Sequence, residues 1–382
     1  MRWLFLLLLT IGYALEIEVS ARSSILMNAE TGAILYQKHA HLPLYPASIT
    51  KIATALFVLD EKRPELHQLA TVSAEALRIK SPKAAKEAPP YWGEVDGTKM
   101  GLIKGEALPL EALLHGLMRI SGNDAANVLA ESFAPSIPDF VEEMNEYLRD
   151  LGCLNTQFRN PHGLHHDEHV TTAYDMCLIT RKALQIPKFR EIVSNVPYYK
   201  PQTNKQAAGA IKQSNALLKS GKYFYRKAIG VKTGYHAKAM YTLVAAAEHE
   251  GRTLIAVLLG CEKREDRYEG AIRLFEKAFA ETKEDRTIFT TAHLFTKEVE
   301  GFPLKAFLQD DLSLSYFPSE EPHCRAFIHW DPLSLPIHAG QKVGQVRLCG
   351  EEGALLVARD LYAREGIELP WWGKIRRFLS SL

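Results

Sequence analysis

Strand-type segments stand on both sides of a long helical middle, and that placement restricts the fold more than any other feature of the chain. Residues 23–38, SSILMNAETGAILYQK, read as a hairpin: an apolar strand, a Thr31-Gly32 turn, then Ala33-Ile34-Leu35-Tyr36. Three further strand-like runs come late, at 229–234, 241–247 and 254–259, and a helix at 268–280 follows them. Between early and late strands, apolar residues recur at helical spacing from 48 to about 60, and over 109–118, 123–133 and 138–151, the last closed by Gly152. This order implies a helical cluster packed on a mainly antiparallel sheet, an α+β domain. Residues 80–98, KSPKAAKEAPPYWGEVDGT, are rich in Pro, Lys and Gly and read as an exposed excursion.

At 382 residues, 47% hydrophobic and 24% charged, the chain reads as globular and long enough for two domains. A net charge of +1 gives no electrostatic reason to expect a nucleic-acid partner. From about Arg286, short alternating segments (FTTAHLF, RAFIHW, QKVGQVRLC, ALLVARDL) separated by Gly, Pro and acidic turns indicate a small all-β domain. At the start, Arg2, the apolar run from Trp3 to Ile11 and then Gly12-Tyr13-Ala14 read as a secretory signal cut after Ala14. At the end, a helix would put Trp371, Trp372, Ile375, Phe378, Leu379 and Leu382 on one face, flanked by Lys374, Arg376 and Arg377. About 12 helical residues reach only ~18 Å, short of a ~30 Å hydrocarbon core, so this tail is expected to lie on a membrane surface. The expected order is therefore export segment 1–14, α+β domain 15–285, all-β domain 286–365 and amphipathic tail 366–382. The five cysteines contain no C-x-x-C pair, so zinc and redox motifs are not indicated. Most read as buried thiols, with Cys324 and Cys349 as candidates for a disulfide in an oxidising compartment.

The chemistry concentrates at PASITKIATALF. Ser48 and Lys51 are three residues apart at a helix start, on one face, so the amine can approach the hydroxyl. At an ordinary lysine pKa only about one amine in 2,500 is neutral at pH 7. A lysine base must lose roughly a thousandfold in proton affinity, about 4 kcal/mol, through burial or a second cation. GVKTGY offers that cation in Lys232, at the end of an apolar strand. There Lys232 and Thr233 can hold a carboxylate, Gly234 admits a ligand backbone, and the Tyr235 N–H with the Ser48 N–H can bind an oxyanion. ISGND places Ser121 and Asn123 between two helices, a hydroxyl that can relay a proton and an amide that can fix a carbonyl. Taken singly, each has an ordinary reading: a solvated lysine, a strand end, a turn with an N-cap.

In this order, and at a helix start, an inter-helix turn and a strand, S-x-x-K, S-x-N and K-T-G resemble the penicillin-binding signature set. The chain resembles the low-molecular-mass D-alanyl-D-alanine carboxypeptidases, and TGAILYQKHAHLPLYPASITK, SGNDAANVLAE and FRNPHGLHHDEHVTTAYDM carry the likeness over about residues 25–279. The resemblance implies a penicillin-binding/β-lactamase-like catalytic domain and a serine-type carboxypeptidase acting on peptidoglycan stem peptides that end in D-Ala-D-Ala. It implies acylation by β-lactams, no cofactor or metal, and a place at the periplasmic face of a bacterial inner membrane. It makes Ser48 the acylated nucleophile, Lys51 its base, and Ser121 with Asn123 the proton relay and carbonyl clamp. Lys232 and Thr233 would bind the terminal carboxylate. Arg267, in REDRYEG, matches an arginine that meets the same carboxylate, with Arg264 close by. Tyr235 departs from the pattern, where His or Thr is usual.

A class A β-lactamase would carry S-D-N where this chain has Ser121-Gly122-Asn123. It would also carry a glutamate for its deacylating water, whereas RDLGCLNTQF has Asp150 and no Glu. A penicillin-sensing receptor would hang from membrane-spanning helices. His162 in NPHGL reads as a satisfied loop histidine, and the run His165, His166, Asp167, His169 lacks the spacing of a metal site.

Overall fold

The computed structural model describes residues 15–81, 87–350, 353–369 and 371. The expected export segment lies outside the described residues, as does most of the tail. The described residues divide into two compact units, one within Ala14–Ala280 and one from Glu281 onward.

In the first unit, Ser23–Asn28 (β1) and Ile34–Lys38 (β2) form the hairpin. Its turn is closed by Asn28 Oδ1, which accepts from the Glu30 and Thr31 N–H groups. A 3-10 turn, Ala47–Thr50, runs into Lys51–Leu56 (α1), every residue of which is buried. The short strands Leu69–Thr71 (β3) and Ala107–Pro109 (β4) pair ahead of Leu110–His115 (α2). Then come Asn123–Phe133 (α3), Ile137–Asp150 (α4), Ala173–Leu184 (α5) and Pro187–Val193 (α6). Ser136 and Thr172 cap α4 and α5 by accepting from the Asp139 and Asp175 N–H groups. A two-residue pair, Tyr199–Lys200 (β5) with Gly209–Ala210 (β6), precedes the strands Ala228–His236 (β7), Met240–His249 (β8) and Arg252–Cys261 (β9). Arg264–Phe279 (α7) ends the unit, starting before the expected Tyr268 because the Lys263 N–H donates to Asp266 Oδ2 within the polar run KREDR.

The sheet order is β2-β1-β9-β8-β7, antiparallel throughout, so the early hairpin and the late strands share one sheet. All ten residues of central β9 are buried, since helices cover both of its faces: α5 on one side, α7 on the other. That explains a continuous apolar run where a half-solvated strand would alternate. Alternate β1 residues divide between two cores. Ile25 and Met27 join the helical cluster, while Leu26 packs with Leu274 and Phe275 of α7. Each such side chain contributes about 1.5–3 kcal/mol.

Residues 87–98 are less exposed than their composition suggests. Tyr91 Oη and Trp92 Nε1 donate to Glu75 Oε1, and the Tyr91 carbonyl accepts from Asn127 Nδ2, so the segment folds back onto the helices.

The second unit is all β. Glu284–Phe289 (β10) pairs with Leu312–Tyr316 (β13). A five-stranded sheet runs Phe295–Val299 (β11), Phe302–Leu308 (β12), Leu355–Ala363 (β16), Lys342–Cys349 (β15), Arg325–Trp330 (β14). Leu304, Leu308, Val343, Val346 and Leu361 fill its core. FTTAHLF is not one strand: Phe289 ends β10, Phe295 begins β11, and residues 290–294 turn between them, held by the Thr291 N–H donating to Asp311 Oδ1. All five cysteines are free thiols, so Cys324 and Cys349 do not pair. No described helix is long and apolar enough to cross a membrane.

Candidate active site

Because the Ala47–Thr50 turn feeds directly into the buried α1, Lys51 is carried inside with no exposed side chain. Its Nζ lies 3.1 Å from Ser48 Oγ, 2.8 Å from Asn123 Oδ1 and 2.6 Å from the His162 carbonyl oxygen. None of these neighbours is a carboxylate. The Lys51 pKa falls well below the ordinary lysine value, first through burial, then through the charge of Lys232, with Asp124 pulling the other way. A neutral amine has two N–H bonds and one lone pair. Asn123 Oδ1 and the His162 carbonyl can only accept, so they take the two N–H groups and the lone pair faces Ser48. The Ser48 hydroxyl then donates to Lys51, which is the geometry of a serine about to be deprotonated.

The turn that presents Ser48 is strained. Ala47 sits at φ +53°, a left-handed conformation costing about 1–2 kcal/mol for a residue with a Cβ. Ser121, across the site, is also left-handed at φ +68°, where the helical turn after α2 ends. Its hydroxyl makes no hydrogen bond among the described residues. Asn123 opens α3, and next to it the Asp124 carboxylate accepts from the N–H groups of Met100, Gly101 and Leu102. That pins the 98–102 segment beside the site. Gly122 is needed there, since a Cβ would come within 3.1 Å of the Met100 nitrogen.

Strand β7 forms the other wall. Lys232 is buried, and its Nζ donates to the neighbouring Thr233 carbonyl at 2.8 Å. Burial and then Arg267 lower its pKa to about 7. Arg267, on α7, donates to the Gly234 and Thr242 carbonyls at 2.9 and 3.1 Å and to Tyr268 Oη at 3.1 Å. Its buried Nε has no partner. Arg264, three residues earlier at the start of α7, is exposed. Among the described residues neither Lys232 nor Arg267 has a carboxylate partner. Two buried cations without a counter-ion are costly alone and attract an anion. Tyr235 is exposed and stacks on Tyr241 at 4.4 Å, on the outer side of the strand.

Gly234 sets the contact between the walls. A Cβ there would lie 2.4 Å from Thr242 Oγ1, 2.9 Å from the Ser48 nitrogen and 3.0 Å from the Pro46 carbonyl. Gly234→Ala should push β7 off the turn that presents Ser48 and slow acylation by a β-lactam about a hundredfold, with the circular dichroism spectrum retained. An acylation rate equal to wild type would show that this approach does not matter.

The histidines separate clearly. His162 Nδ1 accepts from the Leu164 N–H and Nε2 donates to the Tyr91 carbonyl, so the ring is satisfied, and burial lowers its pKa to about 3. What matters at His162 is its carbonyl, presented to Lys51 by a turn in which Asn160 Oδ1 accepts from the His162 and Gly163 N–H groups. Sequence reasoning missed this acceptor, because a backbone contact leaves no residue-type signature. His169 is buried behind Thr50. One acidic and histidine group within metal-binding range is present among the described residues, Glu111, His115 and Glu191. Lys188 bridges both of its carboxylates at 2.9 and 2.8 Å, taking the place a cation would fill.

Residues 12–263 match the family model described as Peptidase_S11, D-alanyl-D-alanine carboxypeptidase. The chain is similar to D-alanyl-D-alanine carboxypeptidase DacF of Bacillus subtilis, with 27% identity over 363 residues, 92% of this chain and 87% of the relative. It shares 31% identity over 274 residues with the D-alanyl-D-alanine carboxypeptidase of Streptomyces sp. strain K15, covering 69% and 88%. Among solved structures, the D-alanyl-D-alanine carboxypeptidase DacD of Francisella tularensis superposes over 94% of this chain and 97% of its own, with TM-score 0.63 and 22% identity. The Streptomyces K15 DD-transpeptidase does so over 69% of this chain and 98% of its own, with TM-score 0.60 and 29% identity.

Proposed function

The chain belongs to the D-alanyl-D-alanine carboxypeptidase family, Peptidase_S11, and is a serine-type D-Ala-D-Ala carboxypeptidase; from this premise we propose that Ser48 is the residue it acylates. The observation that carries the reading is the Lys51 amine, buried with no carboxylate in contact and held by two acceptors so that its third position faces Ser48 Oγ. The proposed substrate is the D-Ala-D-Ala end of a peptidoglycan stem peptide. Lys232 and Thr233 hold the terminal carboxylate, and Arg267 adds a second charge behind Gly234. Lys51 takes the Ser48 proton as Oγ attacks the penultimate carbonyl carbon. The oxyanion rests on the Ser48 and Tyr235 N–H groups, a donor of this kind contributing about 3 kcal/mol. Asn123 fixes the substrate carbonyl on the other side. The proton passes through Ser121 to the departing D-alanine nitrogen as the C–N bond breaks. Water, deprotonated by the same amine, then splits the ester and restores Ser48.

The test is covalent. A β-lactam should add its mass to the peptide containing Ser48, and Ser48→Ala should abolish the adduct while the protein stays folded. An adduct that survives this change removes Ser48 from the mechanism.

The same reading places the enzyme at the outer face of a bacterial inner membrane, held by residues 366–382 through their indole and basic side chains. A chain ending at Leu369 should then remain in the supernatant when the full chain pellets with anionic vesicles. Equal pelleting of the two would rule out the tail as an anchor.

A further inference from the structure

Behind the nucleophile turn lies a chain of buried hydrogen bonds that the reaction described above does not use. Ala47 O accepts from Thr50 Oγ1 at 2.9 Å. A hydroxyl bonding back to a carbonyl three residues earlier is common in helical turns. Here, however, Thr50 Oγ1 also lies 2.9 Å from His169 Nε2. His169 Nδ1 accepts from the Arg159 N–H at 3.0 Å, so the ring proton is on Nε2 and points at Thr50. Thr50 is therefore an acceptor toward His169, and its own proton is committed to Ala47 O. Phe158 stacks on the histidine ring at 4.9 Å and holds its plane. Ala47, Thr50 and His169 are all buried, and Gly163 backs so closely onto the Ala47 carbonyl that a Cβ would lie 2.0 Å from the oxygen.

The Ala47–Ser48 peptide is planar and trans, so its C=O and N–H point in opposite directions. Whatever holds the Ala47 oxygen also aims the Ser48 N–H. That N–H is an orphan donor at the start of the turn, on the side where Gly234 of β7 approaches the Ser48 nitrogen. A string of hydrogen bonds ending on the carbonyl also polarises the peptide and strengthens its N–H as a donor. We propose that Thr50 and His169 are positioning residues that aim and polarise the Ser48 N–H toward the oxyanion. They keep Ala47 in its left-handed conformation, and they touch neither the substrate nor the reacting atoms. This rests on the reading of Ser48 as nucleophile.

Three variants of the full chain test it: Thr50→Val, which keeps the shape and removes the hydroxyl, Thr50→Ser, which restores it, and His169→Leu. Each is measured for its acylation rate constant with a β-lactam and for binding of free D-alanine, the leaving group, whose carboxylate the Lys232 and Thr233 clamp holds away from the oxyanion site. Affinity for a peptidyl boronic acid, whose boronate oxygen occupies the oxyanion site, is the third measurement. Thr50→Val should slow acylation about 10- to 100-fold and weaken boronate binding in step, with D-alanine binding unchanged. Thr50→Ser should act like wild type, and His169→Leu, which frees the Thr50 proton to rotate, should fall between. Should Thr50→Val not fold, His169→Leu carries the same comparison. Wild-type acylation by Thr50→Val overturns the proposal. So does D-alanine binding that falls as far as boronate binding, or a Thr50→Ser variant as slow as Thr50→Val. Adduct mapping on the wild type separates the two readings. An adduct away from Ser48 overturns the nucleophile and this proposal together, whereas an adduct on Ser48 with an unimpaired Thr50→Val overturns this proposal alone.

Discussion

Lys51→Arg is expected to cost at least about a thousandfold in acylation rate and to release no measurable D-alanine, although it keeps a positive charge at the site. The reason is the proton. Burial and Lys232 together depress the Lys51 pKa, which favours the unprotonated amine beside Ser48. A guanidinium stays protonated under the same pressure and has no lone pair to offer the hydroxyl. Lys51→Met, which removes the amine without burying a charge, should be equally inactive, separating the loss of the base from any disturbance by the larger side chain. The pH profile follows the same sign. Acidification through the depressed Lys51 pKa protonates the base, so wild-type acylation should fall toward acid and be restored on return to neutral pH. Acylation by Lys51→Arg within tenfold of wild type would mean that lysine acts here as a charge and not as a base.

Much of this site was legible in the sequence because its chemistry is written in residue types at fixed spacing. Ser48 and Lys51 are three residues apart, and an i, i+3 relation on a helical turn leaves little choice about where the amine goes. Asn123 and Lys232 were found as members of a pattern, and the fold brings both to Lys51, one by a hydrogen bond and one through its charge. That early and late strands share one antiparallel sheet was readable for a related reason, whereas their order in it was not. Central β9 is buried on both faces, so its apolar run is unbroken, and early and late strands had no partners but each other. What stayed hidden were contacts made by the backbone. The His162 carbonyl, the Asp124 carboxylate gripping three N–H groups, and the left-handed Ala47 depend on how the chain is bent, and alanine or histidine as such predicts none of them. Element edges failed where polar residues carry regular structure. The KREDR start of α7 looks like solvated loop until the Lys263 N–H finds Asp266. In the same way, Phe289 and Phe295 bracket a turn that their apolar neighbours disguise as a strand.

The second large effect concerns the substrate's end. Replacing the terminal carboxylate of a D-Ala-D-Ala peptide by its amide should lower kcat/KM by about a hundred- to a thousandfold, while shortening the opposite end of the peptide changes it far less. The two buried cations beside Gly234 have no protein anion to offset them, so a neutral ligand leaves their charge uncompensated. A carboxylate supplies charge-assisted hydrogen bonds of about 1.5–3 kcal/mol each. The same electrostatics makes binding take up a proton. Lys232, lowered to about 7 in the empty site, is largely neutral at pH 8, and an arriving carboxylate favours its charged form. Affinity for a D-alanine-terminated ligand should therefore weaken as pH rises above about 7, and calorimetry at pH 8 in buffers of different ionisation heat should show uptake approaching one proton. Lys232→Met should abolish that uptake. Turnover of amidated and free substrates at similar rates would remove the carboxylate clamp. Ligand binding that moves no proton and is flat with pH would show instead that Lys232 stays charged in the free enzyme, with burial and Arg267 together too weak to depress it.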